Sequence, residues 1–82
     1  MIPAAERITR ARKTIQKARD LPVPAELGKS DLSYIAQVKA LLQDARDLVK
    51  FIPFTPTATP EMKAEVAAIF EEADCANREI LH

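Results

Sequence analysis

Proline is the residue that most limits what this chain can become. The six prolines stand at positions 3, 22, 24, 53, 56 and 60, and the long intervals between them are free of the residue. Inside a helix, proline removes a ladder hydrogen bond and clashes with the carbonyl four residues back. The residue before it is pushed toward extended backbone. Leu21-Pro22-Val23-Pro24 therefore ends one segment, and Pro53 and Pro56 end another. Pro3 is tolerated as a first-turn residue, and Thr59-Pro60-Glu61 starts a third segment with a capping side chain, a proline at the first helical position and an early acid.

Each interval carries a helical period. Ala4, Ile8, Ala11, Ile15 and Ala18 recur at spacings of four and three, which places them on one stripe. In the second interval the stripe is Ile35, Val38, Leu42, Ala45, Val49 and Ile52. Tyr34, Leu41 and Leu48 widen it, as expected of a helix touching two neighbours, and Ser30 or Asp31 supplies the cap. In the third, Met62, Val66, Ile69, Ala73, Ala76 and Ile80 form the stripe, flanked by Phe70. The pattern predicts helices over 3–20, 31–52 and 60–81, with connectors of roughly ten and eight residues. An all-α, small antiparallel three-helix bundle, one domain over 1–82, accommodates all of this.

Composition narrows the class further. A chain of 82 residues supports one core. A single glycine and few aromatics argue against strands. One cysteine cannot close an internal disulfide, which favours a reducing, intracellular compartment. No run of about 18 apolar residues exists to span a membrane, and MIPAAERITR has no apolar segment of the kind a signal peptide needs. The opening at Met1 suits a genuine N-terminus. The helical pattern, running on to His82 without a glycine or proline stop, suits either a piece of a longer protein or a helix that continues into a partner.

The stretch FIPFTPTATPEMK, Phe51 to Lys63, is the one that resembles a motif. As a connector, every residue has a turn or capping role, and Phe54 is expected to fold back over the end of the bundle. As a docking site, Pro53-Phe54-Thr55-Pro56 has polyproline-ligand spacing, and Thr55 and Thr59 precede prolines as phosphorylated threonines can. With no flanking basic residue except Lys50, the connector reading is the better one.

Charge is more informative in its distribution than in its sum of zero. Residues 1–20 hold six basic and two acidic side chains, and residues 53–82 hold two basic and six acidic. Arg10, Lys13 and Lys17 lie opposite the first apolar stripe. The bland explanation sets helix one beside helix three as complementary surfaces. The functional ones give that basic face to an acidic protein partner or, alternatively, to nucleic acid, although no aromatics interleave with the cations. On helix three, Ala64, Ala68 and Cys75 project nearly opposite the apolar stripe, with Ala67 alongside. They are either a solvated face using alanine for its helix propensity or a second contact surface.

Catalysis finds no support in the inventory. Gly28 alone cannot make a phosphate loop. The carboxylates Glu61, Glu65, Glu71, Glu72, Asp74 and Glu79 lack a histidine partner or metal-binding spacing, and the only histidine, His82, is terminal. No enzyme activity and no cofactor is expected.

The run ARDLPVPAELGKSDLSYIAQVKALLQDARDLVKF, Ala18 to Phe51, resembles the helical region of JARID-family histone demethylases. The matching elements are Leu21-Pro22, Gln37-Val38-Lys39-Ala40-Leu41-Leu42, Asp44 and Phe51. The resemblance covers under half of the chain and includes none of that family's metal-binding or zinc-finger residues, so no catalytic role carries over. It implies a non-catalytic helical segment of a chromatin protein, in a nuclear setting. Taken together, the sequence predicts a protein-interaction module that receives a partner helix or amphipathic segment. Ala64, Ala68 and Cys75, or Arg10, Lys13 and Lys17, are its candidate partner-binding residues.

Overall fold

The computed structural model describes residues 2–81, so His82 lies outside the described residues. Three helices, α1 (Ala4–Asp20), α2 (Leu32–Val49) and α3 (Pro60–Ile80), form an all-α bundle with no strand among the described residues. Each helix packs against both others, α1 and α2 most extensively. Arg12 pairs with Glu72 and Arg19 with Glu79, so α1 and α3 ascend together while α2 runs against them.

The helix ends follow from local chemistry. Thr59 Oγ1 accepts the Met62 N–H at 3.1 Å, with Pro60 in the first turn, as its sequence predicts. Asp31 rather than Ser30 caps α2, accepting the Tyr34 N–H at 3.0 Å. Ser30 is taken up in a 3-10 turn, Gly28–Ser30, closed by its N–H to the Leu27 carbonyl. Gly28 opens that turn with φ +57°, a conformation glycine adopts without a Cβ penalty. At the other end, α2 stops at Val49, three residues earlier than expected. The ring of Pro53 would collide with the Val49 carbonyl if the α-ladder continued. The chain instead tightens into a 3-10 turn over Ile52–Phe54.

That turn overturns one expectation. Phe54 does not fold back over the bundle; it is 83% exposed and Phe51 66%. Residues three apart eclipse in 3-10 geometry, so Phe51 and Phe54 share an outward side while Ile52 turns inward and is buried.

The core is assembled from the expected stripes. Ile8, Ala11, Ile15 and Ala18 of α1 meet Val38, Leu42, Ala45 and Val49 of α2, and Val66, Ile69, Ala73, Ala76 and Ile80 of α3. The stripe on α2 is rotated slightly: Tyr34 is buried and Ile35 only half-buried. Tyr34 shares a flank with Leu41 and Leu48 at intervals of seven, and Leu48 lies beside α1. That flank is the one the closest helix pair covers. Ala4 and Met62, in the first turns of their helices, are half-buried. Among the described residues the core contains no charged side chain and, besides Tyr34, no side chain with a polar group, and no buried side-chain nitrogen or oxygen lacks a partner. The bundle measures 48 × 23 × 15 Å with a radius of gyration of 14.0 Å. A compact chain of this length would have about 12 Å, so the molecule is a short rod.

Candidate functional site

Two flanks of α1 take different neighbours. Arg12 and Arg19, seven residues apart and therefore aligned, face α3. Arg12 Nε lies 3.7 Å from Glu72 Oε2, and Arg19 donates to Glu79. On the far side of α3, Arg46 of α2 donates to Asp74 at 2.7 Å. The charge complementarity of helices one and three is thus made by Arg12 and Arg19. The cations singled out from the sequence, Arg10, Lys13 and Lys17, lie on the other flank. Arg10 bonds Glu6 within its own helix at 3.1 Å, and Lys13 and Lys17 make no ion pair among the described residues.

These three cations, joined by Arg7, form one wall of a groove of about 620 Å³ between α1 and α2. The opposite wall is acidic: Asp44 and Asp47 of α2. Leu48 and Thr14 also line it, and the Thr14 hydroxyl is spent on the Arg10 carbonyl at 2.8 Å. Asp47 accepts from Gln43 Nε2 at 2.9 Å and pairs with Lys50 Nζ at 3.1 Å. The Gln43 hydrogen bond first, and Lys50 second, hold its carboxyl below the ordinary range. Asp44 makes no ion pair among the described residues. The groove therefore sets four cations against two carboxylates.

Beyond Arg7 the surface changes character. A cleft of about 530 Å³ at the end of the rod is lined by Ile2, Pro3, Ala4, Phe51 and Ile52, and also by Thr55 and Thr57. Arg7 lines both depressions, and its Nε donates to the Ile2 carbonyl at 3.3 Å. On the α2 side, Lys50 lines neither depression but contacts one residue of each. Its ammonium pairs with Asp47 of the groove and stands 5.1 Å from the centre of the Phe51 ring, within cation–π range.

The second candidate surface, on α3, is less uniform than its projection implies. Ala64 and Ala68 are exposed, but Cys75 is half-buried. Its thiol donates to Glu79 Oε1 at 3.3 Å, and the other Glu79 oxygen receives Arg19. Arg19 first and Cys75 second draw the Glu79 carboxyl below its ordinary value, and the same carboxylate raises the Arg19 guanidinium. The small-residue face is thus closed at its C-terminal end by an arginine from α1. Neither Ala64 nor Ala68 lines the groove or the end cleft.

Among the described residues, no three His, Cys, Asp or Glu side chains converge as metal ligands would. No helix among the described residues is long and apolar enough to cross a membrane. No protein family, curated protein or solved structure matches the chain. What fold and site together define is a class: a three-helix rod with a charged groove along one side.

Proposed function

We propose that this chain is a non-catalytic protein–protein interaction module, and that its α1–α2 groove receives a helix or amphipathic segment of a protein partner. The observation that carries the reading is the mixed charge of that groove. A cationic wall alone would suit a nucleic-acid backbone, which rewards each unopposed Lys or Arg. Here Asp44 and Asp47 form the opposite wall, and a phosphodiester chain laid between the walls would meet both carboxylates. A protein segment carrying acids on one side and a base on the other satisfies both walls, and Leu48 offers it apolar contact. The resemblance of Ala18–Phe51 to the helical region of JARID-family demethylases supports a chromatin-associated, nuclear setting for such a module.

The test compares proteins captured from nuclear extract by the wild-type chain, by K13E/K17E and by A68E, alongside anisotropy of a labelled DNA duplex. Specific capture lost in K13E/K17E and kept in A68E is the expected result. Capture lost only in A68E would move the site to the back of α3. Tight duplex binding that weakens steeply with salt, with no specific protein capture, would replace the proposal with the nucleic-acid reading.

A further inference from the structure

We infer that the groove and the end cleft form one continuous binding track, and that its occupant is an acidic amphipathic helix with a large apolar residue about one turn beyond its acidic row. The inference rests on the interaction-module reading and adds to it the chemistry and register of the partner.

Continuity is the first argument. Arg7 lines both depressions and is tied to Ile2. Lys50 joins Asp47 of the groove to Phe51 of the cleft. Arg7 is the residue of α1 common to both linings, so the two depressions adjoin along that helix.

Register is the second. Arg10, Lys13 and Lys17 are spaced three and four apart, so they follow one line along the helix for about 10 Å. A partner helix laid beside them places side chains at the same spacing, and carboxylates at i, i+4 and i+7 reach all three cations. One further turn, about 5 Å along, brings its next side chain over the cleft of Ile2, Pro3, Phe51 and Ile52. There the lining is mostly apolar, with Arg7, Thr55 and Thr57 as its polar members, and Phe51 is 66% exposed, a solvent-facing ring that a partner's aromatic or leucine side chain would cover. Such a buried anchor beside charged contacts is how helix-in-groove complexes divide affinity and orientation. Charge complementarity fixes the polarity of the occupant. Lys13 and Lys17 lack ion-pair partners among the described residues, and the Asp44 side of the groove calls for a lysine or arginine on the partner's opposite flank.

The probes are alanine-based helical peptides of about four turns, made in both chain directions. One carries a Glu row at i, i+4 and i+7, a flanking Lys and a Phe one turn on. A second replaces the Phe with Ala, and a third replaces the Glu row with Lys. Affinity and backbone amide shifts are measured with the 82-residue chain, with thermal melts confirming that each variant folds. The anchored peptide should bind and shift amides from Arg7 to Lys17 and at Phe51. Loss of its Phe should weaken binding about tenfold, equivalent to about 1.4 kcal/mol. Phe51→Ala should weaken the anchored peptide similarly and leave the anchorless one unchanged, whereas K13E/K17E should weaken both. The Lys-row peptide should not bind.

Equal affinity with and without the anchor would separate cleft from groove and overturn this inference, leaving the groove itself standing. Failure of both Glu peptides, while K13E/K17E still abolishes capture of a protein, would show that the occupant is not such a helix. Shifts centred on Ala64 and Ala68 would overturn both the track and the groove.

Discussion

Leu42 is 1% exposed and is among the largest fully buried side chains. Cutting it to alanine removes its contacts and leaves a cavity, so Leu42→Ala should cost about 2–5 kcal/mol. A domain of this length has only about 4–12 kcal/mol in total. Chemical denaturation should show a large share of its stability gone, and an unchanged midpoint would contradict the central place of α2. Gly28 is different in kind. A Cβ added there meets nothing within 4 Å, so only the backbone angle resists substitution. Gly28→Ala should cost about 1–2 kcal/mol through its φ of +57°, and a silent melt would show that the turn relaxes. The apolar stripes could be read from the period alone, because three- and four-residue spacing is geometry. The exchange of Ile35 for Tyr34 could not, since Ile35 three residues before Val38 and Tyr34 four before it both fit the helical spacing, and only the position of α1 decides which is covered.

At the scale of elements, the caps are the places where one side chain controls a helix end. Thr59→Ala removes the acceptor for the Met62 N–H and should destabilise by about 0.5–2 kcal/mol, measured by urea denaturation. An effect near zero would mean that Pro60 suffices to start α3. On the exposed back of the same helix, Ala68→Glu should leave the melting temperature essentially unchanged, as most exposed helical substitutions do. A large loss would mean that this face is covered. Prolines and caps fixed the three helices from sequence to within a few residues. The shortened end of α2 was harder to foresee, because Pro53 acts on Val49 four positions earlier. Ser30 and Asp31 were equivalent as caps until the Gly28–Ser30 turn consumed one of them. Phe54 misled for a related reason: its hydrophobicity suggests burial, but a 3-10 turn aligns it with Phe51 on the outside.

Across the whole molecule, the charges do two jobs that a helix-by-helix tally cannot separate. Arg12 and Arg19 brace α1 against α3, while Arg10, Lys13 and Lys17 remain on the groove side. Exposed pairs contribute little each, so they set arrangement more than stability. Their signature is in pH dependence. The carboxyls of Glu79 and Asp47 are depressed in the folded state, by Arg19 and by Gln43 respectively as the leading causes. A depressed carboxylate adds stability that is complete above its unfolded value and is lost as pH falls through the folded one. Thermal stability should therefore be flat near neutrality and decline below roughly the ordinary glutamate value of 4.5. Glu79→Gln should make that decline shallower, and an acid limb of unchanged slope would show that the pairing is not maintained in solution. The basic-against-acidic arrangement was visible in the sequence. Arg7, Asp44, Asp47 and Leu48 were missed as groove residues, because the flank of α1 that meets α2 is decided by packing.

An odd number of helices has a mechanical consequence. Because α2 reverses direction and α3 reverses it again, Ile2 lies at the pole that holds Phe51. Leu81 lies at the opposite pole, where Lys29 reaches the Glu79 carbonyl. Tension applied between those two residues would run along the axes of a rod 48 Å long. It would load the core layers from Ile52 to Ala18 together, in shear, instead of peeling them apart one after another. A domain of modest thermodynamic stability would then resist extension better than its melting temperature suggests.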